Sequence, residues 1–240
     1  MLESSFRLGT ISGIRIGVHY TWLIIFFLLV TSLFALFSAS HAEWSMTAVL
    51  VSAVITTLLF FTSIVLHELG HSLVAIARGI RVRSITLFIF GGVAQTEQEA
   101  STPATEFWVA IAGPLVSFGL AGLFYLLKLW LAPYSDMAAE ALDWLARINL
   151  ILAIFNLIPG FPLDGGRVFR ALVWQVTGNA SKGMQWAVIG GRLFAYSLMF
   201  MGLLTVLQTG LLINGIWLVG IGWFLLSAAE ASGRAYVMEH

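Results

Sequence analysis

Residues 46–77 read MTAVLVSAVITTLLFFTSIVLHELGHSLVAIA, and the fold turns on how this stretch is read. It is apolar almost throughout, yet His67, Glu68 and His71 stand well inside it. As a helix it would reach about 48 Å at 1.5 Å per residue, more than the roughly 30 Å hydrocarbon core of a bilayer, so its end must tilt or project. Ionisable side chains inside a membrane span are expensive to bury and mark function by default.

The sequence on either side has the same apolar character. Of 240 residues, 59% are hydrophobic and 10% charged, and the mean hydropathy is +0.93, where soluble domains carry about a quarter charged residues. Apolar runs near 20–37, 107–131, 142–158, 186–207 and 211–229 join residues 46–77 in an all-α polytopic membrane protein of about six transmembrane helices, read as a single domain over 1–240. Two β features are expected beside them. SFRLGTISGIRIGV (5–18) alternates crudely and carries three glycines, which reads as a small N-terminal strand pair, and RVRSITLFIFGGVAQTE (81–97) reads as a membrane-associated β segment, a hairpin or re-entrant strand. The proline-rich PGFPLDGG (159–166) interrupts the fourth span, and RVFRALVWQV (167–176) follows as a short amphipathic helix. Gly113, Gly119 and Gly122 read as close-packing positions of the third span. The N-terminus shows no basic start, short apolar stretch and small-residue cleavage site, so insertion is expected to depend on the first span.

Charge bounds the partners and the orientation. A formal net charge of +0 gives no reason to expect nucleic acid. Arg7, Arg15, Arg78, Arg81, Arg83, Arg167, Arg170, Lys182, Arg192 and Arg234 fall on one side of the expected topology, and only Lys128 and Arg147 fall toward the other. Both termini are therefore expected in the cytosol. His67 then lies roughly 15 Å along the helix from Arg78, inside the membrane but nearer its cytosolic face.

The chemistry centres on His67-Glu68-Leu69-Gly70-His71. On a helix, positions i and i+4 share a face, so both imidazoles can reach one zinc ion while Glu68 lies beside them as a general base. With no cysteine in the chain, any metal must be held by nitrogen and oxygen. A catalytic zinc takes three protein ligands and keeps one position open. His19 and His41 sit near span ends and His240 is the last residue, which leaves Asp164 in PGFPLDGGR. Taken alone, Asp164 reads as an ordinary Asp-Gly turn at the membrane surface. Beside the histidines, with Pro159 and Pro162 breaking the helix and turning the segment inward, it reads as the third ligand.

HELGH inside a span, followed about ninety residues later by FNLIPGFPLDGGR, resembles the site-2 protease family of intramembrane zinc metalloproteases, and the likeness runs over most of the chain. The resemblance places His67, His71 and Asp164 on the family's ligands for one Zn2+ per chain and Glu68 on its catalytic glutamate. It places Asn156 on an asparagine near the active site. FGGVAQ (90–95) is similar to the family's membrane-embedded strand beside the site, which makes Phe90, Gly91, Gly92 and Val93 candidate substrate-binding residues. AGPLVS (112–117) and VHYTW (18–22) match further stretches, the latter in a branch whose members often carry paired CBS domains after the last span. No CBS pair and no PDZ insertion is seen here.

The expected activity is hydrolysis of a peptide bond in or near a transmembrane segment of a membrane-protein substrate, with the lipid bilayer as surroundings. A strand edge at 85–95 would hold the unwound substrate by β-augmentation. The expected location is the cell membrane of a prokaryote, multi-pass, with no oligomeric state specified. The alternatives are a metal-binding membrane transporter, which should line several spans with polar groups where here they gather at one centre, and a non-catalytic scaffold, which should lack Glu68 or a ligand.

Overall fold

A computed structural model describes residues 6–88, 91–96, 98–209 and 212–239, with four strands and seven helices among them. Contacts divide the chain into two compact units, Met1–Glu99 with Ala112–Ala153 and Ala100–Ile111 with Ile154–His240. Each is described in turn.

The first unit begins with β1 (Phe6–Ile11) and β2 (Ile14–Val18), an antiparallel hairpin closed by Ser12 and Gly13 at φ 51° and 81°. Two successive positive φ values suit the twist of a two-residue hairpin turn. Helices α1 (Trp22–Ser40) and α2 (Met46–Ala77) follow, and then β3 (Val82–Phe88) and β4 (Gly91–Thr96). The strand pair and the later β segment, expected as separate pieces, form one sheet of order β1-β2-β3-β4. β2 and β3 pair in parallel, Arg15 to Ser84 through Val18 to Leu87, and β3 and β4 pair antiparallel. The expected strand edge at 85–95 is thereby corrected. Ile85–Phe88 is interior to the sheet, and the edge is β4.

α2 is a membrane helix turned inside out relative to a soluble one. Leu50, Ile55, Leu58, Leu66 and Leu73 face outward, while Ser52, Thr56, Ser63, His67 and His71 are buried. Ser45 caps its start, accepting from the Ala48 amide at 3.3 Å. Its end is closed by a paired motif in which Gly79, at φ 83°, donates to Ile76 O and Ile80 donates to Ala75 O, both at 2.9 Å. Glycine permits the left-handed residue that this C-terminal motif needs. The chain therefore leaves α2 two turns after His71 and enters β3 directly. Leu69, on the turn between the histidines, packs on Ile14 and Ile85 of the sheet, which seats the sheet against this part of the helix.

α3 runs Pro103–Leu131 and α4 Asp136–Asn156. Within the first unit they meet through Phe124, Leu142, Leu145 and Ala146. Among the described residues five helices, α1, α2, α3, α6 and α7, are long and apolar enough to cross a membrane. α4, expected as the fourth span over 142–158, is apolar only beyond Arg147, because Asp136, Glu140 and Asp143 charge its first half. Asp143 takes up both Lys128 and Arg147 as ion-pair partners.

The second unit holds the start of α3 together with α5 (Asp164–Thr177), α6 (Ala180–Thr209) and α7 (Leu212–Glu239). Gly178, at φ 67°, ends α5. Phe161, Met184, Ala187, Val188, Ala229 and Tyr236 form its apolar cluster, which takes residues from the turn before α5, from α6 and from α7.

Candidate active site

His67 and His71 are buried on one face of α2, and their Nε2 atoms stand 3.2 Å apart. His67 Nδ1 lies 2.8 Å from Ser117 Oγ on α3. With the proton on Nδ1, the ring donates to Ser117 and leaves the Nε2 lone pair for a metal, the usual way an outer partner orients a ligating histidine. A Cβ at Gly113 would fall 2.1 Å from His71 Nε2 and 2.6 Å from His67 Nε2. Gly113 therefore leaves open the space the two nitrogens need, a sharper role than the helix packing expected for it. At Gly119 and Gly122 a Cβ would meet nothing within 4 Å, so neither is the close-packing position expected.

Glu68 is held from the other side by the sheet. A Cβ on Gly92 would lie 2.5 Å from Glu68 Cγ, so the bare backbone of β4 rests on this side chain. Gly91 pairs with Phe88, Gly92 with Leu87 and Val93 with Thr86. Phe90 lies outside the described residues.

Asn156 is the last residue of α4 and Asp164 the first of α5, joined by an irregular turn. Within the second unit the turn is pressed onto α6. The Phe161 amide donates to Ala187 O at 3.1 Å, and a Cβ at Gly190 or Gly191 would stand 2.1 Å from Pro159 O or Phe161 O. Gly165 and Gly166 are as tightly placed against the backbone of Leu157 and Gly160.

Among the described residues, His67, His71 and Asp164 are a set of imidazole and carboxylate groups that could hold a metal ion, one ligand atom from each. The donors fit zinc. Two nitrogens bound at 2.0–2.1 Å in a tetrahedral site stand about 3.3–3.4 Å apart, close to the separation here, and two nitrogens with one oxygen form a familiar catalytic set. Sequence reading missed Ser117 and Gly113 as parts of this centre. Their only signal was their place in AGPLVS, and nothing local ties that stretch to His67.

Comparison with known proteins places the arrangement. The sequence model of Peptidase family M50 matches residues 55–135 and 132–199. The chain is 44% identical, over 97% of its length, to a candidate zinc metalloprotease of Synechocystis sp., and 34% identical over 99% to a zinc metalloprotease of Methanocaldococcus jannaschii. It spans 61% and 63% of the length of these two relatives. A solved structure, the site-2 protease from Methanocaldococcus jannaschii, superposes with a TM-score of 0.62 at 31% identity and covers 95% of both chains. A family model running through both the HELGH helix and the Asp164 turn, with a structural likeness over nearly the whole chain, shows that this chain belongs to Peptidase family M50, the site-2 protease family.

Proposed function

We propose that the chain is a zinc-dependent endopeptidase that hydrolyses a peptide bond in or near a transmembrane segment of another membrane protein, as in regulated intramembrane proteolysis. The observation that carries this reading is the pair of Nε2 atoms 3.2 Å apart inside an apolar helix, with Glu68 between them in sequence and the backbone of β4 against it. Membership of a peptidase family and relatives named as zinc metalloproteases support it.

His67, His71 and Asp164 would hold the metal. Zinc bound there supplies Lewis acidity, lowering the pKa of water toward about 7 and polarising the scissile carbonyl. Glu68 takes a proton from the attacking water as its oxygen bonds to the carbonyl carbon, and passes that proton to the nitrogen as the C–N bond breaks. The Asn156 amide is assigned a hydrogen bond to the scissile carbonyl oxygen. A transmembrane helix keeps its carbonyls in its own hydrogen bonds, so the substrate must be locally unwound. β4, from Gly91 through Val93, ends the sheet and can hold the extended peptide by backbone pairing beside Glu68, and Phe90, the residue before Gly91 in sequence, is assigned to the same role.

The protein is assigned to the cell membrane of a prokaryote with both ends of this sequence in the cytosol. Lys128 and Arg147, the basic residues that count against this orientation, are both paired to Asp143. A reporter fused at His240 that worked only outside the cytosol would overturn the assignment.

Glu68→Gln tests the function directly. It preserves size and leaves all three ligands in place, so zinc stays bound while the base is gone. Cleavage of a model transmembrane substrate in detergent should fall on the order of a hundred- to ten-thousand-fold. Equal cleavage by the two zinc-loaded proteins would remove Glu68 from the mechanism, and no cleavage by the unsubstituted protein would favour a transporter or scaffold.

A further inference from the structure

Outside the site, one group of buried charged side chains stands apart from the rest of the second unit. Arg170 on α5 and Glu106 near the start of α3 are both buried, with Nη1 and Oε1 3.4 Å apart. The guanidinium also lies over the ring of Tyr236, 4.8 Å from its centre, in the last turn of α7. Tyr236 Oη is 3.4 Å from Ser181 Oγ. The stem of Arg170 is fixed as well, since a Cβ at Gly183 would meet Arg170 O at 2.6 Å and its Cγ at 3.2 Å. Burying charge carries a desolvation cost, so an ion pair in an apolar helical protein is a costly way to obtain stability alone. A cation held over an aromatic face adds direction, because the guanidinium must lie over the ring.

The place of this group in the chain gives the direction a use. Asp164 sits between Phe161 and Arg170, and both are held from the same side. Phe161 shares the apolar cluster of Tyr236, and Arg170 lies on the Tyr236 ring. The segment carrying the carboxylate is thus gripped on either side of Asp164 by the end of α7 and by Glu106.

We propose that Arg170 and Tyr236 are positioning residues for Asp164, fixing the rotation of α5 so that its first residue presents the carboxylate at the ligand position. The proposal rests on the reading of Asp164 as the third zinc ligand. Outer partners of metal ligands typically tune affinity by about 10–100-fold, and this is the size of effect expected.

The test is zinc affinity of the full chain in detergent, measured by competition with a chromophoric chelator, with the thermal midpoint of the metal-free protein measured on the same samples. Tyr236→Phe keeps the ring face and should stay within about twofold of the unsubstituted protein. Tyr236→Leu and Arg170→Lys should each weaken zinc by about tenfold. Leu33→Ala, in the apolar cluster of α1 and α2 that contains neither Phe161 nor Tyr236, should lower the midpoint and leave affinity unchanged. If Tyr236→Leu and Arg170→Lys behaved like Leu33→Ala, the group would be a fold brace and the proposal would be wrong. Should Arg170→Lys fail to fold, Tyr236→Leu against Tyr236→Phe decides alone. Asp164→Asn is measured in parallel, and unchanged zinc affinity there would sink the ligand reading itself, whatever Arg170 does.

Discussion

The HELGH turn and the Asp164 turn supply ligands of the same proposed centre by opposite means. His67 and His71 need only a regular helix, whose repeat places i and i+4 on one face, and bulk added at Gly113 would meet the far ends of their own side chains, His67 being held besides by a hydroxyl at 2.8 Å. Asp164 needs an irregular turn whose backbone lies directly on α6, with glycines wherever a Cβ would strike a carbonyl oxygen. In the first region the local fold is secure and the ligand atoms are sensitive. In the second the ligand is only as well placed as the backbone beneath it. Added bulk should therefore act differently in the two places.

The largest effect is expected at Gly113→Ala. The new methyl would overlap both Nε2 atoms, and these can swing aside because they end flexible side chains. Zinc affinity should fall on the order of a hundredfold, the upper range for disturbing a ligand's surroundings, while the thermal midpoint of the metal-free protein hardly moves. A large fall in that midpoint would remove the contrast. Next is Gly191→Ala, whose methyl meets Phe161 O, part of a backbone that cannot step aside. Overpacking of this kind costs about 1–3 kcal/mol, so stability and zinc affinity should decline together. Normal stability with selective zinc loss would mean that the turn is as soft as the HELGH region. The smallest effect belongs to Gly92→Ala, where the methyl meets only the flexible Glu68 side chain. Zinc should remain bound, and cleavage should slow by about tenfold because the base is displaced. Loss of zinc in this variant would show that β4 supports the ligands and not the base.

The same contrast explains what could be read from sequence. Helical repeat and hydropathy are local signals, and they gave α2 with His67, Glu68 and His71 in place. They also clipped helices at their charged turns. α4 begins at Asp136 and not at Leu142 because Ser135 caps it, accepting from the Ala138 amide at 3.2 Å, and an apolar window cannot see a cap. α7 continues past Ala229 through Glu230, which Arg192 and Arg234 accompany. The four-stranded sheet could not be assembled from sequence, although both of its halves were visible, because β2 and β3 join across two intervening helices with no local mark. Ser117 and Gly113 were out of reach for the same reason. Their importance lies in distances to residues on another helix, which a single sequence does not carry.

The parallel pairing of β2 with β3 also sets a schedule for biosynthesis. Arg15 finds its partner only when Ser84 has been made, so β2 lacks its β3 neighbour for as long as α1 and α2 are being synthesised. During each round of translation the two histidines and the glutamate of the HELGH helix are made before the strand that will rest on Glu68, and Asp164 is made later than either.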